Sequence, residues 1–274
     1  MGDLDRIRIV LVEPAGPLNV GAAARVMKNF GLSQLVLVNP QCDPLDDLAL
    51  QMAVHAKDVL LAARQVPTLA EALAGCELAI ATTARDRDLS GPLALPEAEL
   101  PHLLAPQFTQ TALVFGPESR GLNNEELYQA QRFIKIPTDA AYASLNLAQA
   151  VALCCYDIAR LNRGQPLSNV LTSGTSSSIR SRTSASDRAT QTPPPADLSP
   201  PSDRPAALDE LDGYYHHLES VLLKIGYLYP HTAPSRMRKF RQLLNRAMPT
   251  AAEVALLRGV LRQVEWALAQ TSDD

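Results

Sequence analysis

The chain has 274 residues, of which 46% are hydrophobic and 20% are charged, and its formal net charge is −4. This length and hydrophobic content suffice for one sizeable core and a second, smaller one. The negative net charge excludes a wholly basic nucleic-acid coat protein, so any contact with RNA must come from a local basic patch.

Cysteine spacing and the lengths of the apolar runs narrow the class of protein. The four cysteines, at positions 42, 76, 154 and 155, include no C-x-x-C pair, which disfavours a structural zinc site. Adjacent cysteines in an apolar helical run are typical of free core thiols in a reducing cytosol. The first apolar run is only as long as a strand, and no run reaches membrane-spanning length. We therefore expect a cytoplasmic protein with no metal ion, signal peptide or membrane span.

Strand and helix patterns alternate along residues 1–163. Strands are predicted at 7–13, 35–39, 78–82, 111–115 and 133–136. Helices are predicted at 19–30, 44–64, 68–75, 123–130 and 145–161. Because the strands are apolar on both faces, they should form a parallel sheet that helices cover on both sides. The fold class is therefore α/β, with one Rossmann-like domain over residues 1–163.

The next segment has a different composition. Over residues 165–205, 22 of the 41 residues are Ser, Thr or Pro, and none is aromatic. Such a segment cannot bury enough apolar surface to offset its ordering entropy. We therefore predict a disordered linker over 164–205.

Helical periodicity returns over residues 206–274. Leu208, Leu211, Tyr215, Leu218 and Leu222 recur at helix spacing, and a second such series runs from 254 to 268. Between them lies a basic segment that also has an apolar side. This predicts a small three-helix domain that serves RNA binding, dimerisation or both, with a middle helix whose basic face suits an RNA backbone. The predicted RNA contacts on that helix are Arg236, Arg238, Lys239 and Arg241.

The loops that follow the strands should carry the chemistry, because open parallel sheets bind ligands beyond the carboxyl ends of their strands. The loop after the first strand lacks the G-x-G-x-x-G spacing, which disfavours a nucleotide-binding oxidoreductase. The loops after the third, fourth and fifth strands combine Gly, Pro and small polar residues. Their exposed backbone groups could contact an adenine edge without large side chains.

Three segments in this order resemble the motifs of the SpoU branch of the SPOUT methyltransferases. They are NVGAAAR (19–25), LVFGPESRGL (113–122) and IPTDAAYASLNLAQAVAL (136–153). With TTARDRD at 82–88 and the helical tail, the whole chain except the linker is similar to bacterial tRNA 2′-O-methyltransferases that modify cytidine or uridine 32 of the anticodon loop. The resemblance implies S-adenosylmethionine as cofactor, a C-terminal trefoil knot in the α/β domain, and a homodimer whose active site is completed across the interface.

The resemblance also implies catalytic roles. Arg25 corresponds to the arginine proposed to activate the ribose 2′-hydroxyl. Because a guanidinium has a pKa above about 12, we expect it to orient a phosphate and polarise the hydroxyl rather than to remove a proton. Asn19 either caps the first helix or contacts the ribose, and both roles stay open. Glu118 is expected at the RNA-facing side, the alternative being a solvated loop carboxylate. Ser144 and Asn146 should line the pocket, although Ser144 could instead cap the last helix of the domain.

The remaining site predictions concern the cofactor and the RNA. The positions that match cofactor contacts of similar enzymes are Thr82, Thr83, Ala84, Gly116, Ile136, Ser144, Leu145 and Asn146. Arg85 and Arg87 beside that loop suit phosphate contact, the alternative being ordinary loop charges. Tyr142 either stacks on a base or packs within the knot.

Two alternative functions remain open at the level of sequence. The form GPESRGL is shared with SpoU enzymes that modify other RNAs, so another tRNA or rRNA site is the nearest alternative. A non-catalytic RNA-binding factor on the same fold is the alternative from another class. The presence of Arg25, Glu118, Ser144 and Asn146 argues against lost catalysis.

Overall fold

The computed structural model describes residues 3–84, 93–165 and 204–271. The strands in these ranges are β1 (Ile7–Val12), β2 (Gln34–Val38), β3 (Arg64–Val66), β4 (Leu78–Thr82), β5 (Leu93–Ala94), β6 (Thr111–Phe115) and β7 (Arg132–Ile134). They form one parallel sheet in the order β3-β2-β1-β6-β4-β7-β5. This confirms the predicted α/β class and places β6 at the centre, between β1 and β4.

The central strands are buried on both faces because their side chains alternate between two cores. In β1, Ile9 and Leu11 enter the core on one face of the sheet, whereas Val10 and Val12 enter the core on the other. All five residues of β6 are buried. This double burial explains why the strands appear in the sequence as continuous apolar runs.

The described helices lie on both faces of the sheet. They are α1 (Pro17–Asn29), α2 (Asp47–Ala53), α3 (Lys57–Leu61), α4 (Leu69–Leu73), α5 (Pro96–Glu99), α6 (Asn124–Leu127), α7 (Leu147–Asn162), α8 (Leu208–Lys224), α9 (Ala233–Ala247) and α10 (Ala251–Thr271). Helices α1, α2 and α7 contribute to the first core, and α4 and α8 to the second. No helix in the described ranges is long and apolar enough to span a membrane.

The prediction of a single helix over 44–64 is wrong. The chain instead forms α2 and α3, separated at Val54, which has a φ of 53°. Helix α2 lies directly against α1, where a Cβ at Gly21 would come within 2.2 Å of the carbonyl oxygen of Ala49. This close packing fixes the direction of α2, so the chain must bend before it can reach the edge strand β3.

Two edge strands were not predicted from the sequence. In β3, Arg64 and Gln65 are exposed and polar, so the strand carries no apolar pattern. Strand β5 has only two residues, Leu93 and Ala94, and pairs with β7 at the other edge of the sheet. Both strands form because a longer neighbour supplies the backbone partners.

The C-terminal helices α8, α9 and α10 confirm the predicted helical tail, and they share a core with the sheet. Leu208 and Tyr215 of α8 belong to the same apolar cluster as Leu73 and Cys76. The Leu208 amide donates to the Cys76 carbonyl at 2.8 Å, and the Gly75 amide donates to an Asp209 carboxylate oxygen at 2.9 Å. The predicted linker (164–205) lies outside the described residues except at its two ends.

Candidate active site

A pocket of about 260 Å³ opens at the carboxyl ends of β4, β6 and β7. The loops after these three neighbouring strands meet there, as parallel topology requires. The lining includes every predicted cofactor residue except Asn146, namely Thr82, Thr83, Ala84, Gly116, Ile136, Ser144 and Leu145. Helix α7 closes one side of the pocket with Leu147 and Ala150.

The loop from Gly116 to Leu122, called here the glycine-rich loop, folds tightly onto itself. A Cβ at Gly116 would lie 2.3 Å from the Leu122 amide nitrogen, so only glycine fits. Gly121 has a φ of +67°, and its amide donates to the Pro117 carbonyl at 2.9 Å. The loop therefore presents backbone at close range to the pocket, which suits the edge of a planar ring.

Three of the predicted catalytic residues form one chain of hydrogen bonds. The Asn146 side-chain amide donates to Asn19 Oδ1 at 2.9 Å, and Asn19 Nδ2 donates to Glu118 Oε1 at 2.8 Å. These residues are 127 and 99 positions apart in the sequence. The donors and acceptors alternate along the chain, so both amides are held in a single orientation.

The helix caps differ from those considered in the sequence. Gly16 precedes α1 as its N-cap, so Asn19 does not cap that helix and instead bridges Glu118 and Asn146. Asn146, not Ser144, caps α7, because its side-chain oxygen accepts from the Ala148 amide at 2.9 Å and the Gln149 amide at 3.3 Å. Ser144 is thereby left to line the pocket.

Glu118 is held as an anion at the pocket wall. Partial burial acts to raise the pKa of its carboxyl group, but hydrogen bonds from the Asn19 side chain and from nearby backbone amides outweigh burial and leave the pKa below its usual value. One of these amides, that of Ala15, donates to Oε2 at 3.2 Å. A fixed negative charge here can accept a hydrogen bond from a hydroxyl group.

Sequence reasoning missed the ion pairs of Arg120, which lines the same pocket. Arg120 donates to Glu126 through both terminal nitrogens, at 2.8 and 2.9 Å, and to Glu13 at 2.7 Å. Glu126 is also the closing residue of the α6 capping box that Asn123 opens, and it is the third residue of that helix. The glycine-rich loop is thus tied to the end of β1 and to the start of α6. The box N-N-E-E was the only local signal for this arrangement.

Arg25 is not part of this hydrogen-bonded chain. It is exposed on α1 and does not line the pocket, and its side chain has no hydrogen bond or ion pair to another described residue. Tyr142 is 81% exposed in the segment before α7. Arg85 and Arg87 lie outside the described residues. Across the described ranges, no three His, Cys, Asp or Glu side chains come together as metal ligands could.

The four predicted RNA contacts of α9 differ in their surroundings. Arg236, Arg238 and Lys239 are exposed. Arg241 is half-buried, pairs with Asp212 at 2.9 Å, and lies 4.5 Å above the Tyr215 ring centroid. The charge of Arg241 is therefore largely neutralised by contacts within the protein.

Two family models match this chain. A model of the SpoU rRNA methylase family matches residues 6–156, and a model of the C-terminal domain of the tRNA methyltransferase TrmJ matches residues 209–274. The first match contains the pocket and all five predicted catalytic residues. The second contains the basic helix α9.

Individual proteins match over almost the whole chain. The tRNA (cytidine/uridine/adenosine-2′-O-)-methyltransferase TrmJ of Pseudomonas aeruginosa is 40% identical over 96% of this chain and 95% of its own length. The tRNA (cytidine/uridine-2′-O-)-methyltransferase TrmJ of Escherichia coli K12 is 37% identical, over 96% of both chains. The crystal structure of TrmJ from Z. mobilis superposes with a TM-score of 0.74 at 34% identity, covering 94% of this chain and 98% of that one.

Proposed function

The chain belongs to the SpoU methylase family, and we propose that it methylates the ribose 2′-oxygen of cytidine or uridine at position 32 of the tRNA anticodon loop. The observation that carries the proposal is the pocket between the loops after β4, β6 and β7, bordered by the hydrogen-bonded chain Asn146–Asn19–Glu118. The substrate class follows the tRNA methyltransferases to which the chain is similar over nearly its full length.

The pocket fits S-adenosylmethionine. Gly116 leaves room for a close approach to the backbone, and Ile136, Leu145 and Leu147 supply apolar contacts of the kind a purine needs. Thr82, Thr83, Ala84 and Ser144 add small polar and backbone groups. When bound, the cofactor supplies an electrophilic methyl group.

The protein's part in the reaction is to position and polarise the ribose hydroxyl. Glu118 accepts a hydrogen bond from the RNA, and Asn19 and Asn146 keep its carboxylate in place. Arg25 orients a phosphate and stabilises negative charge as it develops on the 2′-oxygen. It does not act as a base, because a guanidinium stays protonated. The hydroxyl proton would therefore leave to solvent as the methyl–oxygen bond forms, with S-adenosylhomocysteine as the leaving group.

Arg25 reaches the reaction in a homodimer, in which one protomer's arginine completes the pocket of its partner. Two observations support this arrangement. Arg25 has no partner among the described residues and does not line the pocket of its own chain. Helix α7, which packs on α1, exposes Leu153 and Tyr156, with 46% and 48% of their surface accessible. Leu153 and Tyr156 lie three residues apart on one helix, and exposed apolar side chains that are contiguous on a surface are a mark of protein interfaces.

The domain organisation completes the proposal. Residues 1–163 form the catalytic domain with a trefoil knot near its C-terminal end, and 164–205 form the linker. Residues 206–274 form a helical domain for RNA binding, dimerisation or both. Exposed Arg236, Arg238 and Lys239 contact the tRNA backbone, with Arg241 at the edge of that surface. Arg85 and Arg87 contact phosphate near the target nucleotide. The protein acts in the cytoplasm, where its tRNA substrate is found.

Methyl transfer from labelled S-adenosylmethionine to tRNA that lacks its native modifications tests the proposal, with the modified nucleotide mapped. A 2′-O-methyl group at position 32 that is absent with Arg25→Ala is the expected result. If S-adenosylhomocysteine binds but no tRNA is methylated, the assignment to tRNA is wrong and ribosomal RNA becomes the substrate to test. If S-adenosylhomocysteine does not bind, the cofactor assignment is wrong.

A further inference from the structure

The loop between α8 and α9, residues 225–232, exposes two aromatic rings and is called here the tyrosine loop. Tyr227 and Tyr229 have 51% and 58% of their surface accessible, whereas Leu228 between them is 1% exposed. Leu228 therefore attaches the loop to the core of the helical domain, and the alternation directs both tyrosines outward. Two large rings left in solvent on one short loop indicate a contact surface.

The backbone of the tyrosine loop is fixed. Gly226 adopts a φ of 73°, and the Leu228 amide donates to the Leu222 carbonyl at 3.0 Å. The Tyr229 carbonyl accepts from the Thr232 amide at 2.8 Å and from the Ala233 amide at 2.9 Å. The two rings are thus presented by an ordered turn, so binding through them costs little conformational entropy.

A guanidinium group and an imidazole ring lie against the two tyrosine rings. The Arg236 guanidinium lies 5.3 Å from the Tyr227 ring centroid, and His231 stacks on Tyr229 at 5.9 Å with an interplanar angle of 19°. From residue 224 to residue 246 the sequence contains no acidic side chain. On the neighbouring helices, Glu265 is paired with Lys224 and His217, and Glu219 lies five residues before the end of α8. Because residues 224–246 carry six basic side chains, this segment is positive in a chain whose net charge is −4.

We propose that Tyr227 and Tyr229 form a stacking platform for unpaired nucleobases of single-stranded RNA, while Arg236 and Lys239 hold the adjoining phosphates. Exposed aromatic rings beside cations are the combination that binds single strands, because every base has a π-face. The positive surroundings favour a polyanion over an apolar peptide. The platform rests on the proposed function, since it supposes an RNA substrate. With it, the helical domain would bind unstacked loop nucleotides as well as the RNA backbone.

The test compares the full-length wild-type chain with the double variant Tyr227→Ala/Tyr229→Ala. Binding of a short labelled single-stranded RNA should weaken by about 5- to 150-fold for each stacked base that is lost. The slope of log affinity against log salt should stay unchanged, because no phosphate contact is lost. The matched variant Tyr227→Phe/Tyr229→Phe keeps both rings and should bind like wild type. Lys239→Ala should instead reduce the magnitude of that slope by about one, as expected for the loss of one phosphate contact.

Each outcome bears on the platform. A 2-aminopurine base in the RNA should lose fluorescence on binding to the wild-type chain and to the Phe variant, and this readout holds even if the Ala variant unfolds. RNA binding by the Ala variant within twofold of wild type, or binding of the wild type without quenching, overturns the platform and leaves the proposed function intact. A wild-type chain that binds S-adenosylhomocysteine but no RNA overturns both.

Discussion

Replacing Arg120 by alanine should weaken cofactor binding while leaving the sheet folded. Arg120 joins the glycine-rich loop to Glu13 at the end of β1 and to Glu126 at the start of α6. Without these bonds the loop keeps its own backbone turn and the contacts of Glu118 with Asn19 and Ala15. The part of the loop around residue 120 must then be ordered again whenever a ligand binds. That ordering reduces the binding free energy.

The magnitude follows from the geometry and the exposure of the ion pairs. The side chain of Arg120 is 37% exposed, that of Glu13 34% and that of Glu126 13%. An exposed pair contributes about 0.2–1 kcal/mol, and hydrogen bonds to charged groups contribute about 1.5–3 kcal/mol where water is excluded. Because this site is partly solvated, we expect a loss of about 1–2 kcal/mol, which is about a 5- to 30-fold weaker affinity.

Calorimetric titration with S-adenosylhomocysteine measures this effect. Arg132→Ala is the control, because it breaks an ion pair with Glu99, at 2.8 Å, whose two residues do not line the pocket. Glu13→Gln leaves Arg120 in place and should reproduce part of the loss. Affinity of Arg120→Ala within twofold of wild type, or an equal loss in Arg132→Ala, would refute a role for this ion-pair network in holding the loop.

Three further results are expected. Gly116→Ala should abolish S-adenosylhomocysteine binding, since its Cβ would lie 2.3 Å from the Leu122 amide nitrogen, and measurable calorimetric binding would contradict the geometry. Asn19→Ala should raise the pKa of Glu118, because burial remains while the amide donor is lost. The stability that a depressed carboxyl pKa provides is present above the unfolded value of about 4.3 and disappears as pH falls through the folded one. In thermal unfolding across acidic pH, the variant should therefore lose this contribution at higher pH than wild type, and superimposable profiles would argue against it. Arg25→Lys should retain measurable methyl transfer whereas Arg25→Ala should not, and complete loss in the lysine variant with intact RNA binding would contradict the orienting role.

The position of the pocket could be predicted from the sequence because parallel topology brings the ends of neighbouring strands together. The individual residues came from the resemblance to SpoU methyltransferases, and Gly116, Ile136 and Ser144 do lie on the pocket lining. The bond between Asn19 and Glu118 joins residues 99 positions apart, so no local pattern marks it. The same holds for Arg120 and Glu13, which are 107 positions apart.

The errors in secondary structure have a common physical cause. Helix propensity continues through Val54, but packing of α2 against α1 at Gly21 forces a bend there. Strand β3 exposes Arg64 and Gln65 and forms only because β2 supplies its backbone partners. In both places tertiary contacts override local preference.

The apolar cluster that Leu208 and Tyr215 share with Leu73 and Cys76 makes α8 a cover for one face of the sheet. If the chain were cut between residues 166 and 203, this buried contact would hold the two fragments together. If the chain ended at residue 165, the apolar surface that α8 covers would be exposed to solvent and prone to aggregate. The helical tail and the catalytic sheet should accordingly unfold in one cooperative transition. A destabilising substitution in α8 would then lower the temperature at which catalytic activity is lost, although the reaction takes place at the opposite end of the strands.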